Sequence, residues 1–146
     1  MQLDLSQPVH GSCVAVAGHA ALIIGPSGSG KSTLALTLMG FGAQLVADDR
    51  TWLNRKGRAI VARAPDSISG LIEARGVGIL KADPVANVPL RCVIDMGHLN
   101  EIRLPATQQI DICGIAIPLL HRTNTLGFAP AVMQYLRGGT QEQGLD

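Results

Sequence analysis

One short segment constrains this chain more than any other, the glycine-rich stretch Gly25–Ser32, which reads GPSGSGKS. It fits the pattern G-x-x-x-x-G-K-[ST] at every fixed position. The apolar run Ala20–Ile24 before it predicts a strand, and the run Ser32–Met39 after it has apolar residues at helical spacing. A strand, a glycine-rich turn and a helix in this order predict a phosphate-binding loop.

The residue types explain how such a loop would hold phosphate. Glycines let the backbone curl until successive N–H groups point at phosphate oxygens, and a helix N-terminus adds the positive end of its dipole. A lysine reaches the β- and γ-phosphates, and a serine hydroxyl ligates Mg²⁺. The segment therefore predicts a site for ATP or a close relative, and it leaves open what is done with the nucleotide. The residues of that site are Gly25, Pro26, Ser27, Gly28, Ser29, Gly30, Lys31, Ser32 and Thr33.

The remaining pattern predicts a single α/β domain with a mixed sheet. The chain has 146 residues, and it is 47% hydrophobic but only 3% aromatic, so its core must be built from Val, Ile, Leu and Ala. A helix is expected at Leu126–Leu136, closing a domain of residues 1–137, with residues 138–146 as a flexible tail. Strands are expected at Ser12–Ala17, Ala20–Ile24, Leu45–Ala47, Thr51–Leu53, Arg58–Ala62, Leu71–Ala74, Ile79–Leu80, Leu90–Ile94 and Ile110–Ile117. Strands outnumber helices, which favours a mixed sheet over a regularly alternating fold.

Composition excludes several classes of partner and location. Twelve basic against eleven acidic residues give no electrostatic footprint for nucleic acid or an anionic membrane. The N-terminus lacks the features of a secretory signal, and no apolar stretch reaches the ~18–20 residues that a membrane span needs. Cys13, Cys92 and Cys113 each lie in an apolar run without a CxxC pair, which predicts buried thiols in a reducing, cytoplasmic protein.

A phosphate loop needs an acidic partner, and the residues alone leave two candidates open. Asp95 follows the apolar run Cys92–Ile94, as does the metal-associated acid of many phosphate-loop proteins. Asp48 and Asp49 follow the run Leu45–Ala47, and a carboxylate there could take a proton from an incoming hydroxyl.

Four segments in this order resemble the catalytic domain of the HPr kinase/phosphorylase family: His10-Gly11, Gly25–Thr33, Leu45–Asp49 and Leu71–Leu80. The resemblance runs from roughly residue 10 to residue 117. It implies a phosphoenolpyruvate-carboxykinase-like core, with ATP and Mg²⁺ as cofactors. It also implies that the protein phosphorylates a serine of the phosphocarrier protein HPr, or of a nitrogen-system paralogue, in the phosphotransferase system. The expected assembly is a cytoplasmic homo-oligomer, a hexamer in the family.

The same resemblance implies roles for individual residues. The catalytic set comprises a base toward the target serine, a histidine beside it, the loop lysine and an arginine for the transferring phosphoryl group: Asp48, His10, Lys31 and Arg75. Ser32 and Glu73 are implied as Mg²⁺ ligands, and Asp49 as a further active-site residue. Asp95 is then a structural residue.

Two departures from the family pattern carry expectations of their own. Nine residues precede His10, where full-length members have a separate N-terminal domain, so a short catalytic-core form is expected. Pro118–Asn124 stands where the family has an arginine-rich loop, and Arg122 is the one active-site arginine expected from it. Since a second anion needs fixed cations around it, the reverse, phosphorylase reaction is predicted to be much slower than the forward one.

Two other functions fit a nucleotide site, a small-molecule phosphotransferase and a nucleotide-sensing module without catalysis. The lack of an obvious second substrate domain argues against the first. The joint presence of an acid pair, a histidine, a glutamate and an arginine at the family's positions argues against the second.

Replacing Lys31 with alanine should abolish ATP binding at working concentrations, because the phosphates lose their mobile counter-charge. Isothermal titration calorimetry measures this directly, with Lys56→Ala in a predicted hairpin turn as the matched control. An unchanged affinity in Lys31→Ala would contradict the phosphate-loop assignment.

Overall fold

Ten strands and two α-helices make up the fold of residues 2–141, the part of the chain that this computed structural model describes. The strands are β1 Val9–Val16, β2 His19–Ile24, β3 Gln44–Ala47, β4 Arg50–Lys56, β5 Ala59–Arg63, β6 Leu71–Ala74, β7 Gly78–Lys81, β8 Val88–Leu99, β9 Gln108–Ile112 and β10 Ile115–Arg122. The helices are α1 Lys31–Gly40 and α2 Phe128–Gly138, and a short 3₁₀ helix covers Asp66–Ile68.

The main sheet is mixed, as the sequence predicts. Strand β2 pairs antiparallel with β1 and parallel with β8, and β8 pairs parallel with β10. The remaining pairs, including β1 with β3 and β4, are antiparallel, and β6 and β7 form a separate hairpin. In the register of β2 and β8, Ile24 is opposite Asp95. Because β2 and β8 run in the same direction, the end of β2 and Asp95 of β8 both lie beside the loop that follows Ile24.

Apolar side chains cover both faces of the central strands. Leu22 belongs to one buried cluster and its neighbour Ile23 to the other, because successive side chains of a strand point to opposite faces. The second cluster lies under the helices and includes Leu38 of α1 and Leu136 of α2, both fully buried. Each such side chain contributes about 1.5–3 kcal/mol through burial, which holds the two helices on the sheet.

The closing helix begins and ends near its predicted limits. Pro130 is the third residue of α2, where its missing N–H would have no helical partner. Helix α2 ends at Gly138, the first residue of the predicted tail, and residues 142–146 of that tail lie outside the described residues. Neither described helix is long and apolar enough to cross a membrane.

The prediction of one strand at Ile110–Ile117 is wrong. A hairpin of β9 and β10 occupies this segment, and its turn is made by Cys113 and Gly114, both at positive φ. The expected loop at Pro118–Asn124 is also wrong up to Arg122, because β10 continues to that residue alongside β8. Gly114 is a single turn signal inside a run whose apolar residues continue on both sides, so the apolar pattern alone does not mark the break.

The three cysteines differ in burial, which corrects the expectation that all are buried. Cys13 and Cys92 are buried, whereas Cys113 is exposed in the β9–β10 turn. Burial raises the pKa of the Cys13 thiol and raises the pKa of the Cys92 thiol to about 12. Both buried thiols therefore stay protonated at neutral pH and are poor nucleophiles.

A thiol-specific reagent should modify one cysteine per folded chain at pH 8 and three after denaturation, because Cys113 is exposed whereas Cys13 and Cys92 are buried. Absorbance of the released thiolate gives the count. Cys113→Ser should leave no rapidly reacting thiol, and rapid modification of two or more thiols in the folded protein would contradict the burial described.

Candidate active site

Three glycines of the loop between β2 and α1, Gly25, Gly28 and Gly30, have positive φ angles that suit glycine best. Gly25 has φ 150°, and a side-chain carbon there would lie 2.7 Å from Ser29 Oγ. Gly30 has φ 95° and precedes the first residue of α1. Left-handed glycine conformations curve the chain around the helix N-terminus, so the predicted strand, loop and helix are present in this order.

Polar groups inside this loop have the chemistry that phosphate requires. Lys31 Nζ donates to the carbonyl oxygens of Gly25 at 2.9 Å and Pro26 at 3.1 Å. Ser29 Oγ is buried and has no hydrogen-bond partner among the described residues. Buried polar atoms are rarely left unpaired, and a phosphate oxygen would satisfy this one. The loop therefore fits the phosphates of a nucleotide.

A buried carboxylate joins this loop to two other strands. Asp48 follows β3 and is only 7% exposed. Its Oδ1 accepts hydrogen bonds from Ser32 Oγ at 2.7 Å and from Ser12 Oγ at 2.8 Å, and its Oδ2 accepts one from the backbone N–H of Glu73 at 3.0 Å. These three donors belong to α1, β1 and β6, and together they fix the carboxylate in one orientation.

The neighbouring acid, Asp49, occupies a different environment. It is exposed and has φ 68°, a left-handed conformation that Asp tolerates better than most residues. The backbone N–H of Arg50 donates to the carbonyl of Asp48 at 2.7 Å, so the chain turns sharply between β3 and β4. Because of this turn, the carboxylate of Asp48 is buried while that of Asp49 is exposed.

Both acids line a cleft of about 450 Å³ beside the phosphate loop. Polar and apolar residues line it together, among them Ser32, Asp48, Asp49, Leu71, Glu73 and Ile79. Hydroxyl and carboxylate oxygens are the ligands that Mg²⁺ prefers, so Ser32 and Glu73 fit this ion, with the Asp48 carboxylate beside them.

Three predicted site residues lie elsewhere in the described structure. His10 is exposed on β1 opposite Arg50 and lines a separate cleft of about 270 Å³. Arg75 is exposed in the turn between β6 and β7, directly after the last residue of β6. Arg122 is on β10, where its Nε donates to the carbonyl of Met96 at 3.0 Å.

The hydrogen bonds distinguish the two candidates for the acidic partner of the phosphate loop, Asp95 and Asp48. Asp95 also lies next to the loop. However, its Oδ1 accepts a hydrogen bond from the backbone N–H of Gly97 and its Oδ2 accepts one from His98 Nδ1, both at 2.8 Å. Burial alone would raise the pKa of Asp95, and these hydrogen bonds together with the imidazoles of His98 and His121 lower it overall. It is Asp48 that contacts the Ser32 hydroxyl.

Sequence reasoning missed Ser12, which is fully buried and holds Asp48 from β1. The only signal was one polar residue in an otherwise apolar run, since the two residues lie 36 positions apart.

Known proteins resemble this chain in sequence and in structure. The family described as HPr Serine kinase C-terminal domain matches residues 1–86. An HPr kinase/phosphorylase of Chlorobium limicola is 43% identical over 69% of this chain and 31% of its own length. One from Prosthecochloris aestuarii is 33% identical over 82% of this chain and 39% of its own length. The chain therefore spans about a third of the length of the curated relatives that it matches.

A solved structure shares the fold. The Hpr(Ser) kinase/phosphatase of Coxiella burnetii superposes with a TM-score of 0.75 over 90% of this chain and 94% of the other, at 23% identity. At this identity the likeness confirms the predicted mixed α/β fold and nothing finer.

Replacing Ser12 with alanine should lower the free energy of unfolding by about 1–3 kcal/mol, because a buried carboxylate loses one of its donors. Urea denaturation at neutral pH measures the difference. Ser6→Ala is a matched control, since Ser6 Oγ also donates to an aspartate, Asp4, but both groups are exposed. Equal stability of the two variants would mean that Ser12 does not support Asp48.

Proposed function

We propose a protein-serine kinase activity for this chain, which belongs to the family of HPr serine kinase C-terminal domains. The proposed donor is ATP with Mg²⁺, and the proposed acceptor is a serine of the phosphocarrier protein HPr or of a nitrogen-system paralogue. The observation that carries the proposal is the contact between Ser32 of the phosphate loop and the buried carboxylate of Asp48. Through this contact the proposed nucleotide site and the proposed proton acceptor, Asp48, lie in the same cleft.

The loop residues would hold the donor. Backbone N–H groups of Gly25–Ser32 and the Lys31 ammonium would face the phosphates, and Ser32 with Glu73 would ligate Mg²⁺. Bound Mg²⁺ and ATP supply an electrophilic γ-phosphoryl group. To meet the phosphates, Lys31 Nζ exchanges its two carbonyl partners, Gly25 and Pro26, for phosphate oxygens.

Asp48 acts as the base toward the acceptor serine. The hydroxyl proton passes to the Asp48 carboxylate while the serine oxygen forms its new bond to phosphorus and the bond to the ADP oxygen breaks. Because Ser12 and the Glu73 N–H hold the carboxylate, it needs little reorganisation at the moment of transfer. Arg75, exposed in the turn of the β6–β7 hairpin, is proposed to interact with the transferring phosphoryl group, with His10 and Asp49 as supporting residues.

The apolar side of the cleft suits a protein acceptor better than a small polar one. Leu71 and Ile79 line it, and Ile79 is 64% exposed, as is Val77 at 76% in the same hairpin. Exposed apolar side chains beside a catalytic carboxylate offer a surface on which a folded partner can bury area. This favours a protein-serine kinase over a small-molecule phosphotransferase.

The proposal is for the forward reaction, in the cytoplasm and in a homo-oligomer, a hexamer in the family pattern. The reverse reaction needs cations around a second anion. Arg122, expected to supply one, donates instead to the carbonyl of Met96. The phosphoenolpyruvate-carboxykinase-like core is part of the same proposal.

Asp48→Asn should reduce phosphoryl transfer by ~10²–10⁴-fold, the range for loss of a general base, while ATP affinity stays within a few-fold. The assay is transfer of labelled γ-phosphate from ATP to HPr with Mg²⁺. Asp111→Asn, an exposed acid on β9 that accepts from the Gly114 N–H, is the matched control and should keep wild-type rates.

Two results would contradict the proposal. ATP binding without transfer to any HPr-type protein would make the chain a nucleotide-sensing module. Wild-type turnover in Asp48→Asn would remove Asp48 from the proton-transfer step.

A further inference from the structure

Three metal-ligating side chains converge away from the proposed catalytic cleft, where β8 and β10 end. They are Asp95, His98 and His121, and their donor atoms all lie within 4.8 Å of one another. The proposed kinase reaction uses none of them, and all three lie beyond residues 1–86, which the family description matches.

Parallel pairing of β8 and β10 brings the cluster together, since His121 is opposite Asp95 in the register. Asp95 Oδ2 is 2.8 Å from His98 Nδ1 and 3.9 Å from His121 Nδ1. The two imidazole rings meet edge to face with centroids 5.7 Å apart. The carboxylate thus lies between two ring nitrogens.

Within the described residues, one of these nitrogens has no hydrogen-bond partner. His121 Nε2 is 2.7 Å from Gln108 Oε1, and because an amide oxygen only accepts, Nε2 is the donor in this contact. The other ring nitrogen, His121 Nδ1, is a buried atom with no hydrogen-bond partner among the described residues. It faces a carboxylate oxygen of Asp95, itself an acceptor. A cation between them would satisfy both atoms.

We propose that Asp95, His98 and His121 form a binding site for a divalent transition metal of the Zn²⁺ class. Two imidazoles and a carboxylate are a ligand set typical of Zn²⁺, with a fourth position for water, whereas Mg²⁺ prefers oxygen ligands. The hydrogen bond from His121 to Gln108 is the outer contact that fixes the tautomer of a ligating histidine.

The ligands need only small adjustments. Tetrahedral coordination at ~2.0–2.1 Å places donor atoms roughly 3.3–3.5 Å apart, so the 3.9 Å separation shortens and the 2.8 Å one lengthens. The side chain of His98 is 74% exposed and can rotate to allow this, while Asp95 and His121 are held by the two strands.

The metal would stabilise the segment that backs the phosphate loop. A side-chain carbon added at Gly97 would lie 3.2 Å from the ring of Pro26, so the two backbones are in close contact. Arg122 already links β10 to β8 by donating to the carbonyl of Met96. A metal ion bound by both Asp95 and His121 would add a second link between β8 and β10 next to the loop.

The test uses the full chain after treatment with a chelator, titrated with Zn²⁺ in a calorimeter. One ion should bind per chain, excess Mg²⁺ should not displace it, and Co²⁺ in its place should give the visible absorption of a tetrahedral site. His98→Gln and His121→Gln should each weaken Zn²⁺ binding by at least tenfold.

Two controls locate the site. His19→Gln changes a part-buried histidine outside the cluster, and Ser32→Ala changes the metal ligand proposed for the phosphate loop. Both should leave Zn²⁺ binding unchanged. The proposal is overturned if the wild type binds no Zn²⁺ at micromolar concentration, if His98→Gln and His121→Gln bind as tightly as wild type, or if Ser32→Ala abolishes binding.

Discussion

The hydrogen bond from Ser32 Oγ to Asp48 Oδ1, at 2.7 Å, joins the phosphate loop to the end of β3, and the proposed chemistry depends on it. A carboxylate that is 7% exposed needs compensation for lost water, and this bond supplies part of it. Ser12 and the N–H of Glu73 supply the rest from two other strands. The same contacts that make burial tolerable also orient the carboxylate toward the cleft.

The sheet allows this arrangement because β2 and β8 are apolar on both faces. Because the central residues of these strands are buried in the two apolar clusters, the polar residues of the site lie toward the ends of the strands. Ile24 and Asp95 are opposite each other in the register, and the phosphate loop begins at the next residue after Ile24. Two polar centres therefore flank one loop, Asp48 through its contact with Ser32 and Asp95 through the contact of Gly97 with Pro26.

Local patterns in the sequence predicted the features that local physics determines. The strand, loop and helix around Lys31 were predicted correctly because glycine freedom and apolar spacing act over a few residues. The β9–β10 turn was missed because its first residue, Cys113 at φ 50°, does not signal a turn, and the single glycine after it lies in a run that is apolar on both sides. Contacts between segments that are distant along the chain could not be predicted from local sequence patterns. Ser12 meets Asp48 through the pairing of β1 with β3, and His98 approaches His121 through that of β8 with β10.

The choice between the two acids could not be made from sequence, because both follow apolar runs that end at the same edge. In the structure Asp48 contacts the loop serine, while both oxygens of Asp95 are engaged by its own downstream segment. The proposed position of the nucleotide-bound metal is therefore beside Asp48. The family resemblance suggests Asp48 rather than Asp95 as the partner of the loop, and the hydrogen bonds of the two carboxylates give the physical reason.

Paramagnetic broadening of backbone amide signals tests this placement most directly. Mn²⁺ replaces Mg²⁺, and spectra of isotope-labelled protein are compared with and without a non-hydrolysable ATP analogue. Since broadening falls with the sixth power of distance, the nucleotide-dependent effect should be strongest at Ser32, Asp48 and Glu73 and weaker at His98. Broadening centred on Asp95, with the amides of Asp48 and Glu73 unaffected, would contradict the account.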